Sequence, residues 1–217
     1  MNEDASPSPS LPSAQIDALA PDFEARSTQG LVKLSDYRGR WLVFFSHPAD
    51  FTPVCTSEFI AFERARAQFE AINTSLLGLS VDSLYAHIAW IKDIEARFEI
   101  KIGFPIIEDI SMALARSYGM IHAASTNTAA VRSVFVIDPE GYIRAMIHYP
   151  MNVGRSVDEI LRLLKALQLS DRTGLTTPEG WQAGEDALLA PPMDQGEADT
   201  RSGATPWYYT PRSGGVS

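Results

Sequence analysis

Trp41-Leu42-Val43-Phe44-Phe45 is a run of five apolar residues. A stretch with no polar face is the mark of a strand covered on both sides. A second such run, Leu76-Leu77-Gly78-Leu79-Ser80-Val81, follows some thirty residues later. Between them Phe59, Phe62, Ala65, Phe69 and Ile72 recur at helical spacing, with Glu63, Arg64, Arg66 and Glu70 free to face water. The three segments make one strand-helix-strand unit, and both strands are expected at the centre of a sheet.

The pattern continues downstream. Asp82 or Ser83 can cap a helix whose apolar positions Leu84, Ile88, Ile91 and Ile94 run toward Phe98. Phe104-Pro105-Ile106-Ile107 reads as a short strand or a strand at a sheet edge, because proline cannot donate to a central ladder. A helix over Ser111 to Tyr118 follows, with Gly119 suited to its end. Arg132–Ile137 and Tyr142–His148 flank the turn Asp138-Pro139-Glu140-Gly141 and predict a β-hairpin. Ser156 then caps a helix over Val157 to Leu169, with Ile160, Leu161, Leu164 and Leu167 as its apolar stripe. This order predicts an α/β fold, thioredoxin-like, with a mixed central sheet flanked by helices. Three regions are expected: a disordered Ser/Pro-rich lead over residues 1–17, the thioredoxin-like domain over 18–170, and a C-terminal arm over 171–217. Trp181, Leu188, Leu189, Trp207, Tyr208 and Tyr209 in that arm need a surface to pack on.

Composition limits the function classes. A formal net charge of -9 and the absence of a basic tract argue against nucleic-acid binding, which draws its affinity from Lys and Arg on phosphates. No run approaches the ~18 apolar residues of a membrane span. The acidic, Pro/Ser-rich N-terminus lacks the basic and apolar regions of a secretory signal, so a cytoplasmic location is expected.

Cys55 is the chain's one cysteine. No intrachain disulfide can form, and cysteine-only zinc sites are excluded. The other candidate ligands, His87, His122 and His148, have no metal-ligand spacing, so neither a metal nor another cofactor is expected. A lone cysteine is often inert packing. Here its position argues otherwise, because it stands at or just inside the first turn of the helix after the Trp41–Phe45 strand. Unpaired backbone N–H groups and the positive end of the helix dipole favour a thiolate there. Thr52 can point a hydroxyl back toward the sulfur, and Pro48 and Pro53 stiffen the loop.

The run Pro48-x-x-x-Thr52-x-x-Cys55, on a strand-to-helix turn, resembles the peroxidatic motif of the peroxiredoxins. Arg132, at the start of Arg132-Ser133-Val134-Phe135-Val136-Ile137-Asp138-Pro139, matches their active-site arginine. Tyr149-Pro150-Met151-Asn152-Val153-Gly154-Arg155 and Thr177-Pro178-Glu179-Gly180-Trp181 are similar to the 1-Cys subgroup of the AhpC/TSA family. The resemblance covers residues ~18 to ~195. It implies a thioredoxin fold with an added arm, assembled as homodimers or rings of dimers. It also implies that Cys55 attacks peroxide and becomes a sulfenic acid, that Thr52 and Arg132 hold the peroxide, and that Pro48 shields the sulfur. Glu58 and Arg155 would form a charge pair that orients Arg132, the bland alternative being a surface salt bridge. His47 also matches the subgroup, as a hydrogen-bonding residue or an acid-base group.

No second cysteine stands where related enzymes carry a resolving thiol, so an external thiol or other small reductant must complete the cycle. A phospholipase serine described for some relatives has no counterpart in Arg38-Gly39-Arg40-Trp41-Leu42, and Gly78-Leu79-Ser80-Val81-Asp82 lacks the nucleophile-elbow pattern. The expected function is a thiol peroxidase for hydrogen peroxide and small organic hydroperoxides. Two alternatives use the same cysteine: a peroxide sensor or redox-controlled holdase, and a thiol-transfer protein, the latter weakened because Thr52 occupies the first position of a would-be CxxC.

Overall fold

A computed structural model describes residues 14–121, 130–201, 203 and 205–213. His122 and most of the lead lie outside the described residues. The chain forms two compact units, residues 1–157 and 158–217.

The first unit is built on a seven-stranded sheet. Its strands are β1 (Glu24–Ser27), β2 (Gly30–Lys33), β3 (Trp41–Ser46), β4 (Thr74–Ser80), β5 (Ile106–Glu108), β6 (Arg132–Ile137) and β7 (Ile143–Tyr149), in the order β2-β1-β5-β4-β3-β6-β7. β3, β4 and β5 are mutually parallel, and the other pairings are antiparallel. All six residues of β3 are buried, as a strand between β4 and β6 requires. α1 (Pro53–Ala71) and α2 (Leu84–Phe98) are the crossover helices, and α3 (Ala113–Ser117) is a single short turn after β5. Phe44, Tyr118 and Phe135 stack edge to face at 4.9 and 5.1 Å between centroids and anchor one core layer. On the other side Phe45 stacks on Phe62 at 4.4 Å.

One alternative is resolved and two features differ from expectation. Of the two readings of the Pro105 segment, the short strand holds and the sheet edge does not, since β5 has 3 residues and lies between β1 and β4. Pro105 precedes the strand, and its carbonyl still accepts from the Gly78 N–H, so the missing donor breaks no ladder bond. Order also starts before residue 18: Ala14 is buried, and the Asp17 N–H donates to the Ile143 carbonyl. In α2 the fully buried face is His87, Trp90 and Ile94, while Leu84, Ile88 and Ile91 are half-buried. A histidine therefore replaces an aliphatic residue on the inward face. Ser83 is the cap, accepting from the Ala86 N–H at 3.2 Å.

The second unit contains most of α4 (Val157–Thr173), β8 (Asp186–Leu188), α5 (Gln195–Arg201) and β9 (Pro211–Ser213). β8 and β9 pair antiparallel. Trp181 finds its packing within this unit, beside Ala166, Leu169 and Ala187. Trp207, Tyr208 and Tyr209 stay exposed.

Candidate active site

The loop from His47 to Thr52 connects buried β3 to α1. Phe51 is held at φ 56°, a left-handed conformation unusual for an aromatic residue, which turns the chain into the helix. Thr52 is the N-cap residue and Pro53 the first helical residue, which costs nothing because the first N–H groups have no helical partner. Cys55 is thus in the first turn, and it is fully buried. Pro48 is buried in the same loop, and Thr52 is half-buried.

The Thr52 hydroxyl does not aim its proton at the sulfur as expected. It donates to the Ala49 carbonyl at 2.9 Å, a local bond of the kind serine and threonine make readily. Its lone pairs remain available, so toward a ligand it is an acceptor.

Arg132 begins β6, antiparallel to β3, and reaches Cys55 across 77 residues of sequence: Nη1 donates to Sγ at 3.4 Å and to Glu58 Oε2 at 2.7 Å. Its Nε and Nη2 both donate to the Met151 carbonyl, at 2.9 and 2.7 Å. Contacts on both sides of one guanidinium fix its plane. Glu58 also accepts from Arg155, through Nε at 2.9 Å, Nη2 at 2.7 Å and the backbone N–H at 2.8 Å. Arg155 Nη1 closes the network on the Ser46 and Ser133 carbonyls, at 2.8 and 2.9 Å. Both arginines and Glu58 have side chains 1–2 % exposed, so the bland alternative of a surface salt bridge is excluded.

Two guanidiniums and one carboxylate leave this buried cluster with one net positive charge. The Arg132 end of that cluster lies against Cys55, with Nη1 3.4 Å from Sγ. Burial alone pushes the Glu58 carboxyl up, but the hydrogen bonds and charge of Arg155, then the charge of Arg132, hold it below the usual carboxylate range.

His47, Asp50 and His87 form a second buried group. His47 Nε2 lies 2.8 Å from Asp50 Oδ1, and His87 Nδ1 lies 2.7 Å from Asp50 Oδ2. His87 looks isolated in sequence, and sequence reasoning singles out neither it nor Asp50 as a site residue. The signals are Asp50 three residues after His47, and His87 in helical phase with Trp90 and Ile94. His148 stands apart, paired with the Ser133 hydroxyl at 2.8 Å. Donor atoms of His47, Asp50 and His87 lie within 4.8 Å of one another, the one grouping among the described residues with a metal-like donor set. Each imidazole already directs a ring nitrogen at Asp50, so the set is internally hydrogen-bonded.

Burial pushes the His47 imidazole below its ordinary value of 6.5, the Asp50 hydrogen bond opposing. The unfolded chain therefore takes up a proton there that the folded chain refuses. Stability should fall as pH drops from ~6 to ~5, and fall further below ~4.5, as Glu58 is protonated first in the unfolded chain. Urea titrations across this range test it, and a midpoint flat down to pH ~4 would contradict the burial of both groups as charge-selecting.

A groove of about 500 Å³, bounded by Phe51, Thr52, Ile60, Trp90 and Ile94, adjoins the Thr52 end of the loop.

Residues 16–146 match the AhpC/TSA family, and residues 166–203 match the C-terminal domain of 1-Cys peroxiredoxin. A peroxiredoxin of Methanosarcina mazei is 47% identical over 191 residues, covering 85% of this chain and 87% of its own. A peroxiredoxin of Aquifex aeolicus is 53% identical over 163 residues, 75% of this chain and 73% of its own. Among solved structures, a yeast mitochondrial 1-Cys peroxiredoxin, described with thiol resolution via glutathione/thioredoxin systems, superposes with a TM-score of 0.80 at 38% identity, covering 91% of this chain and 99% of that one. A cysteine-to-serine mutant of peroxiredoxin 6 of Arenicola marina gives 0.79 at 34% identity, covering 87% and 89%.

Proposed function

The chain belongs to the AhpC/TSA family and is a peroxiredoxin of the 1-Cys type, a thiol-dependent peroxidase, and we propose that Cys55 is its peroxidatic residue, acting on hydrogen peroxide and small organic hydroperoxides. The observation that carries this reading is the Arg132 Nη1 contact on Cys55 Sγ within a cluster that is one charge short of neutral.

Cys55 as thiolate attacks one peroxide oxygen, a sulfur–oxygen bond forms as the oxygen–oxygen bond breaks, and water or an alcohol leaves. Arg132 stabilises charge that spreads onto the departing oxygen, and Glu58 and Arg155 hold Arg132 in place. Pro48 covers the sulfur. Thr52, its own proton spent on Ala49, accepts the proton of a peroxide O–H and so orients it. Full burial of Cys55 favours small peroxides, and the groove beside Thr52 offers room for an alkyl group. Replacing Thr52 with Val should leave the fold intact and slow peroxide reaction by ~10-fold, the value of a single hydrogen bond in the transition state. An equally fast variant would make Thr52 a packing residue.

The second half of the cycle falls to an external small thiol. With no other cysteine in the chain, support for this comes from the 1-Cys relative described with glutathione and thioredoxin systems. Since the sulfur is buried, the first turn of α1 must open locally for that thiol to reach it. Dependence on a reducing thiol pool fits a cytoplasmic location, and no helix among the described residues is long and apolar enough to cross a membrane. Exposed Trp207, Tyr208 and Tyr209, and β7 as the last strand of the sheet, support a homodimer or a ring of dimers. Peroxide consumption with glutathione tests the reading. Many equivalents per chain support the enzyme, whereas a stop after one equivalent would favour the sensor.

A further inference from the structure

β5 is shorter than the strand it borders. β4 runs over 7 residues and β5 over 3, so only Gly78, Leu79 and Ser80 are paired on that side of β4. Residues two apart in a strand direct their peptide groups to the same side. Leu79 faces β3, its carbonyl accepting from the His47 N–H, and Gly78 faces β5, donating to the Pro105 carbonyl. Leu76 therefore faces the β5 side too, beyond the point where β5 begins.

The register names the partners due to Leu76. Gly78 donates to Pro105 and Ser80 accepts from Asp109, so an extended ladder would have Leu76 donate to Gly103 and accept from residue 105. The ladder stops there, because residue 105 is a proline and has no N–H. The Gly103 carbonyl accepts instead from Gln29 Nε2 at 2.9 Å, and the Ile106 N–H donates to the Thr28 hydroxyl at 3.1 Å. Among the described residues, the N–H and C=O of Leu76 on this side have no partner, although Leu76 is buried. Buried backbone groups are almost always paired. A donor and an acceptor left open on one residue ask for a molecule that carries both.

A cavity of about 370 Å³ lies over this gap. Val32, Phe104 and Pro105 give it an apolar wall, and Tyr37, Arg40 and Arg66 a polar one. Arg66 is already neutralised, its Nε donating to Glu63 at 2.8 Å and its Nη1 to Glu70. Arg40 is exposed, and its guanidinium has no carboxylate partner among the described residues. Burial pushes the Tyr37 phenol up to about 12, so its hydroxyl keeps its proton at neutral pH and is a second donor. β3 separates the cavity from Cys55: Arg40 precedes Trp41 at one end, and the loop to Cys55 leaves Ser46 at the other, ~20 Å away.

We propose that this gap is a binding site for an N-acylated amino acid. In an antiparallel pair, facing residues exchange both of their N–H···O bonds. The ligand makes that exchange with Leu76: its amide N–H donates to the Leu76 carbonyl, and one carboxylate oxygen accepts from the Leu76 N–H. The other carboxylate oxygen accepts from Arg40 and the Tyr37 hydroxyl, and an apolar side chain rests on Val32, Phe104 and Pro105. The last residue of a peptide carries the same groups.

Amide NMR of the intact chain, titrated with N-acetyl-L-leucine, tests the site. Saturable shifts at Leu76, Gly103 and Phe104 in the millimolar range are expected. N-acetyl-L-leucinamide, which keeps the amide and loses the charge, should bind at least ~10-fold more weakly, and isocaproate, which lacks the N–H, ~5-fold more weakly. Arg40→Gln should weaken N-acetyl-L-leucine ~10-fold and leave N-acetyl-L-leucinamide unchanged. Pro105→Ala supplies an N–H for the Leu76 carbonyl and should weaken binding ~5-fold. Affinity that rises from N-acetyl-L-leucine to an acetylated tripeptide ending in leucine identifies a chain end as the ligand, and equal affinity a free amino-acid derivative. Shifts that grow without saturating through tens of millimolar, equal binding of the acid and its amide, or an Arg40→Gln chain that binds like wild type would overturn the proposal. The comparison of ligands on the wild-type chain decides it even if both variants fail to fold.

Discussion

Cys55→Ser should consume no peroxide catalytically, at any thiol concentration, while keeping the fold. The serine hydroxyl fits the same first turn of α1, but at neutral pH it is neither ionised nor comparably nucleophilic, and it cannot cycle through a sulfenic acid. No other thiol exists to substitute for it. The loss is therefore complete rather than graded, and residual turnover would show that another group in the chain reacts. Removing Cys55 should not destabilise the chain strongly, since Arg132 keeps its bonds to Glu58 and Met151.

Glu58→Gln should have the largest effect on stability. The carboxylate accepts four hydrogen bonds from two guanidiniums and one backbone N–H, all buried. An amide of the same shape presents donors to donors and leaves two buried positive charges without their counter-charge. Breaking a buried pair by removing one partner costs about 3–5 kcal/mol. For a chain of this size, that lowers the thermal midpoint by on the order of 10 °C. Cys55 oxidation should slow as well, because Arg132 loses the bond that orients it. A cost below ~1 kcal/mol would be that of an exposed salt bridge and would contradict the burial of the network.

What can be read from sequence follows from which interactions are local. The all-apolar run 41–45 gives β3 its central place, and the α1 pattern sets Cys55 in the first turn, although Pro53, read from sequence as a loop residue, is already the first residue of the helix. The link from Cys55 to Arg132, 77 residues apart, has no local signature. It is legible through the resemblance, which places Arg132, Glu58 and Arg155 in one network. Hydropathy misleads at α2, because Leu84, Ile88 and Ile91 outline a stripe, yet the buried face carries His87. A buried polar residue is stabilised by partners elsewhere in the chain, here Asp50 and Ile107, which no periodicity reveals. Thr52 departs from expectation for the opposite reason, since a local acceptor at Ala49 competes successfully with the sulfur.

The most direct test of the account is stopped-flow oxidation of the reduced chain by hydrogen peroxide, with mass spectrometry of the product. Oxidation orders of magnitude faster than that of a free thiol, with a gain of one oxygen atom on Cys55, is the predicted result. Oxidation at the rate of an ordinary cysteine would contradict the claim that the Arg132 cluster makes Cys55 a peroxide-reducing thiolate.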